Sequence, residues 1–160
     1  FKSALEQFTA ATNFSGGDLE ATYKRLNDAY EGSVSKADEV KNRIADIESV
    51  SEALFNEWKL EIAQYSSAAL KQSSQKKLDT TQVHYRQLIA SMKQAEAKIH
   101  PILTVFHDQV MFLKHNLNAR AIASLKGELG TIKSDVSVLI ASMEKSINEA
   151  NAFINTMEQK

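Results

Sequence analysis

Apolar residues recur every three or four positions along almost the whole chain, and the phase of that recurrence breaks at only a few places. Phe1, Leu5, Phe8 and Ala11 open the pattern and predict an amphipathic helix over residues 1–13. Asn13-Phe14-Ser15-Gly16-Gly17 interrupts it, because paired glycines favour a turn. Asp18 then offers an N-cap oxygen, and Glu20 suits the positive end of a helix dipole. The next stripe is the longest. One heptad position falls at Leu19, Leu26, Ser33, Val40, Ile47, Leu54 and Glu61, the other at Tyr23, Tyr30, Ala37, Ile44, Ser51, Trp58 and Tyr65. Eleven of these fourteen are apolar or aromatic, which predicts a helix over 18–72 packed along a seam, with Trp58 in the core. Gly32 leaves the phase unchanged, so the helix is expected to pass through it.

Ser66-Ser67 and Ser73-Ser74-Gln75-Lys76-Lys77 weaken the pattern, and the turn is placed at 72–76. A second long stripe covers 77–116, through Leu78, Tyr85, Leu88, Met92, Ala95, Ile99, Ile102, Phe106, Val110 and Leu113. Pro101 stands inside it. A proline there removes one hydrogen bond and presses on the carbonyl of Ala97, so a kink is expected at Lys98–His100, without chain reversal. After Leu117 the stripe calls for an apolar residue and meets Arg120. A fresh phase then runs over 119–159, through Ile122, Leu125, Leu129, Ile132, Val136, Leu139, Met143, Ala150, Phe153 and Met157, with Ser146 its one polar seam position. The last turn is placed at 116–118 with Asn118 as N-cap. Gly127 and Gly130 are read as close helix contacts, and a turn at 127–130 stays open as the alternative. The expected fold is all-α: a single domain over 1–160, an elongated antiparallel up-down bundle of three long helices plus a truncated N-terminal helix, with coiled-coil-like packing. Because helical patterning is already under way at Phe1, a preceding segment is expected too.

Composition agrees, with one proline, five glycines and 24% charged residues. The net charge of −1 gives no global field that would draw nucleic acid. It is uneven: residues 1–75 hold 8 Lys/Arg and 12 Asp/Glu, residues 76–160 hold 11 and 8, so the halves are expected to pair across the bundle. Without cysteine there are no disulfides and no thiolate metal sites. No run is long and apolar enough to predict a transmembrane segment.

Catalytic chemistry finds little support. A carboxylate-bridged metal site in a bundle needs Glu-x-x-His, and none occurs. His84, Glu96, His100, Asp108 and His115 would form a metal site only by meeting across helices. Tyr23, Tyr30, Trp58, Tyr65 and Tyr85 lie on seam positions, where core packing is the ordinary use of an aromatic stripe. No phosphate-cradling glycine loop and no nucleophile motif is present. The expectation is therefore no enzyme activity, no cofactor and no metal. The densest polar cluster at a turn, Lys114, His115, Asn116, Asn118 and Arg120, is the candidate interaction surface.

Phe112-Leu-Lys-His-Asn-Leu-Asn-Ala-Arg-Ala-Ile-Ala-Ser-Leu125 with Gly127-Glu128-Leu129 resembles an uncharacterised bacterial family of unknown function. Asn13-Phe14, Gly16-Gly17-Asp18-Leu19-Glu20-Ala21-Thr22-Tyr23, Glu52-Ala53-Leu54-Phe55 and Glu57-Trp58 resemble it as well. The resemblance implies helical proteins made with an N-terminal export or lipid-attachment signal, placed in the periplasm or cell envelope. It carries over no activity. The expected role is a non-enzymatic structural or interaction scaffold, meeting a protein partner or itself through helix faces, with membrane attachment through the missing N-terminal segment. The second reading is a module for a lipid or small apolar ligand near Pro101 and the aromatic seam, and a metal-dependent enzyme is a distant third.

Overall fold

The apolar stripes become helices, the one over 77–116 divided between two of them. The computed structural model describes residues 1–12, 19–116 and 119–158, of which 12, 119–121, 124, 157 and 158 are described by their backbone alone. The elements are α1 (Lys2–Thr12), α2 (Leu19–Gln64), α3 (Ala68–Ala97), α4 (Ile99–His115) and α5 (Ala119–Glu158), with no strand among the described residues. The expected break at Asn13–Gly17 and the Asp18 cap lie outside the described residues.

The first long turn is earlier than the pattern placed it. α2 ends at Gln64 and α3 begins at Ala68, so residues 65–67 make the reversal instead of 72–76. Two serine pairs compete for this turn, and the first one wins. The Ser67 hydroxyl accepts from the Leu70 N–H at 3.3 Å and caps α3, while the Ser67 carbonyl accepts from Lys71. The second pair lies inside α3, where the Ser74 hydroxyl accepts from the Trp58 indole N–H at 2.9 Å. That bond requires Ser74 to face α2 from a helix, a tertiary demand that composition does not reveal.

Pro101 acts one turn before its own position. Its missing N–H would have served the carbonyl of Ala97, and α3 ends at Ala97. Lys98 turns (φ −80°, ψ −13°) and gives its N–H to Ala95 and Glu96. α4 then starts at Ile99, so Pro101 stands in a first turn where no intrahelical donor is needed. Both α3 and α4 lie along α2, so the chain bends here without reversing.

α5 passes through Gly127 and Gly130 without interruption, which rules out the turn at 127–130. Neither glycine makes the close contact expected of it: a Cβ added at Gly32, Gly127 or Gly130 would meet nothing within 4 Å.

The helices form an antiparallel bundle whose two ends differ. At the end called proximal here, α1, the start of α2, α4 and the start of α5 surround a common core. Phe8 and Phe106 are fully buried there and stack with ring centroids 4.5 Å apart. Ile99, Ile102, Val110 and Leu113 of α4 and Leu125, Ile132, Val136 and Leu139 of α5 complete it. At the distal end, beyond the first residues of α1, only α2, α3 and the second half of α5 remain. The Ser91 and Ser146 hydroxyls join α3 to α5 at 3.2 Å, and Ser146 also bonds the carbonyl of Ser142. Buried Thr81 and Ser33 are satisfied in the same way by carbonyls four residues back. Glu48 and Lys93 pair across α2 and α3, and the Glu48 carboxylate, accepting a hydrogen bond, holds the Lys93 ammonium above the usual lysine range. Because the raised value belongs to the folded state, this contribution is present at neutral pH and fades only as alkaline pH deprotonates Lys93. Both partners are well exposed, so it is small.

Trp58 is half-buried and not a full core residue. Trp58→Ala should cost about 1–3 kcal/mol in urea unfolding, below the roughly 3–5 typical of a fully enclosed Trp.

Candidate functional site

The cluster at the α4–α5 junction is built from helix-end chemistry. Lys114 and His115 are exposed in the last turn of α4, where cations complement the negative end of its dipole. Asn116 is the C-cap: its N–H reaches Leu113 at 3.3 Å and its side-chain amide donates to Phe112 at 3.0 Å. Asn118 lies outside the described residues. Arg120 stands in the first turn of α5, described by its backbone alone. α4 ends at His115 and α5 starts at Ala119, so a Gly-Ser insertion after Leu117 should be tolerated, since lengthening a connection costs little. The same insertion between Lys126 and Gly127 interrupts α5 and should lower the unfolding midpoint far more.

Among the described residues no three His, Asp or Glu side chains converge on a metal-sized point. His84 and His100 are exposed, and Asp108 pairs with His107 at 3.7 Å. The aromatic stripe is divided. Tyr30 packs against His107 with ring centroids 5.5 Å apart, and Tyr85 packs edge-on against Phe55 at 5.3 Å. Tyr65 is exposed beside the turn. Pro101 is exposed as well, and an apolar concavity lies at the distal end.

That concavity is the feature that sequence reasoning did not place. α1 touches both α2 and α5, while the Cα atoms of α2 and α5 stay more than 8 Å apart wherever both are described. α1 is therefore a spacer between them, and where it stops a groove opens. The register position that is buried in α2 beside α1 becomes exposed beyond it: Leu26 1%, Ser33 4%, then Ile47 37% and Leu54 58%. On α5 the position that follows Ile140, half-buried against the proximal core, is open as well: Ile147 is 57% and Ile154 50% exposed. Ser51, Leu54, Trp58, Phe153 and buried Thr81 line the deepest part, a hollow of about 350 Å³ rimmed by Glu57 and Glu61. A second groove of about 610 Å³ runs between α3 and α5, where Leu88, Ala90, Ala152 and Phe153 line it together with His84, Gln87, Gln94, Lys145 and Glu149. On α2 the signal for the distal groove was in the sequence, as heptad positions extending past the length of α1, whereas Ile147 and Ile154 lie off the stripe of α5.

These features define a helical-bundle protein with a seam left open at one end. The chain belongs to the family described as proteins of unknown function, DUF2959, whose profile matches residues 1–157. No curated protein and no solved structure matches it. No helix among the described residues is long and apolar enough to cross a membrane.

Proposed function

We propose that this protein is a non-enzymatic interaction scaffold whose distal groove seats an amphipathic helix. The observation that supports it is the paired exposure gradient on α2 and α5. Ile47 and Leu54, in register with buried Leu26, and Ile147 and Ile154, in register with half-buried Ile140, stand open to solvent along a length a helix would cover. In this reading the bundle works in the bacterial cell envelope, held there through an N-terminal export or lipid-attachment segment, as the family resemblance implies. The cluster at Lys114–Arg120 serves the α4–α5 connection first, and any partner contact there is secondary.

The test is site-specific photo-crosslinking in the producing cells. A photoreactive residue at Leu54 or Ile147 should give a defined adduct, and one at Ser49, on the opposite side of α2, should give none. Equal yields at all three positions, or no adduct at either groove position, would contradict the reading. The second reading, an apolar small ligand, rests on the hollow between Leu54, Trp58 and Phe153. It predicts that the groove adducts carry a small-molecule mass instead of a peptide.

A further inference from the structure

We propose that the helix seated in the distal groove is the upstream continuation of α1 on the same chain. This rests on the reading of the groove as a helix seat and names its occupant. α1 already fills the proximal part of the same groove, in contact with α2 on one side and α5 on the other. Only six residues join Thr12 to Leu19, so α1 runs antiparallel to α2 and its N-terminal end points distally, into the open part. Helical hydrogen bonding reaches the first residue, with the Leu5 N–H on the Phe1 carbonyl at 3.0 Å. Phe1 is half-buried, and with Ala37, Val40, Ile140 and Met143 it belongs to the partly buried set packed against the core. From there the groove runs on between Ile47 and Leu54 of α2 and Ile147 and Ile154 of α5.

A straight extension of α1 by about 18 residues, ~27 Å, would cover it from Val40 to Trp58. A helix from another molecule would have to stop end-on against α1, whose first-turn N–H groups need carbonyl partners that a continuous helix supplies by itself. It would also lack the high effective concentration of a tethered segment. α1 turns Phe1, Ala4, Phe8 and Ala11 inward. Carried upstream, that register calls for small or apolar residues about four, seven and eleven positions before Phe1.

These 160 residues hold no cysteine, so an introduced thiol reports on one place among them, and peptide mass separates it from any upstream thiol. Leu54→Cys and Ile147→Cys are placed in the chain that begins at Phe1 and in the protein at its full encoded length, with Ser49→Cys as the control. Maleimide labelling is followed by mass. In the chain from Phe1, both groove thiols should react about as fast as the control. At full length they should slow by about tenfold or more, independently of protein concentration, while the control is unchanged. Protection that rises with concentration in both forms would assign the groove to a second copy and overturn the proposed occupant while keeping the helix-seat reading. Fast labelling at full length would overturn the occupant. If groove crosslinks were absent in cells as well, the helix-seat reading would fall with it.

Discussion

Phe106→Ala should destabilise the protein by about 3–5 kcal/mol, the largest loss expected from any single truncation in the bundle. Phe106 is fully buried and stacked on Phe8, which is itself fully buried. The pair joins α4 to α1, so removing one ring opens a cavity and strips the other of its partner. α1 is only eleven residues long, too short to hold helical structure without packing. Its amides should therefore lose protection in hydrogen exchange before the rest of the bundle does. A loss below about 1 kcal/mol would mean that α1 does not dock where the structure puts it.

The second large effect has the opposite sign. Gly32→Ala, Gly127→Ala and Gly130→Ala, combined, should stabilise the protein by about 2–3 kcal/mol. Each glycine lies inside a helix, and an added Cβ meets no atom within 4 Å. Alanine then restricts the unfolded chain without straining the folded one. All three glycines are exposed, and Gly32 lies on a different helix from Gly127 and Gly130, so its increment should nearly add to that of the α5 pair. Urea unfolding of the triple variant checks this, and a destabilised triple would show that at least one glycine is a close contact after all.

The stripes were most legible where four helices meet. Ile99, Ile102, Phe106, Val110 and Leu113, and Leu125, Leu129, Ile132, Val136 and Leu139, all follow from spacing alone and all are buried. Spacing says which face of a helix is apolar, because side chains three and four apart share a face. It does not say whether a neighbour covers that face. Leu54 and Ile47 share a register with Leu26, and only the short reach of α1 separates their fates. The turn at 65–67 was hidden for a different reason: both serine pairs suit a cap, and the choice between them depends on Trp58 reaching Ser74 across two helices. The glycines were misread because their fit to the apolar phase invited a packing role, whereas they are merely tolerated at sites with room to spare. Lys114, His115 and Asn116 lie at the end of α4, and local capping uses such as Asn116 on Phe112 depend on backbone geometry that the sequence does not display.

The central claim is that the distal stripe is apolar yet lies outside this chain's own core. Urea unfolding of the Leu54→Gln, Ile147→Gln double variant of the 160-residue chain tests it most directly. Glutamine keeps helix propensity and a methylene stem, so a solvent-open stripe predicts a change of about 1 kcal/mol or less for the pair. A loss of about 2 kcal/mol or more at each site, the range for truncating an enclosed Leu or Ile, would mean that α2 and α5 close on one another and that no groove exists.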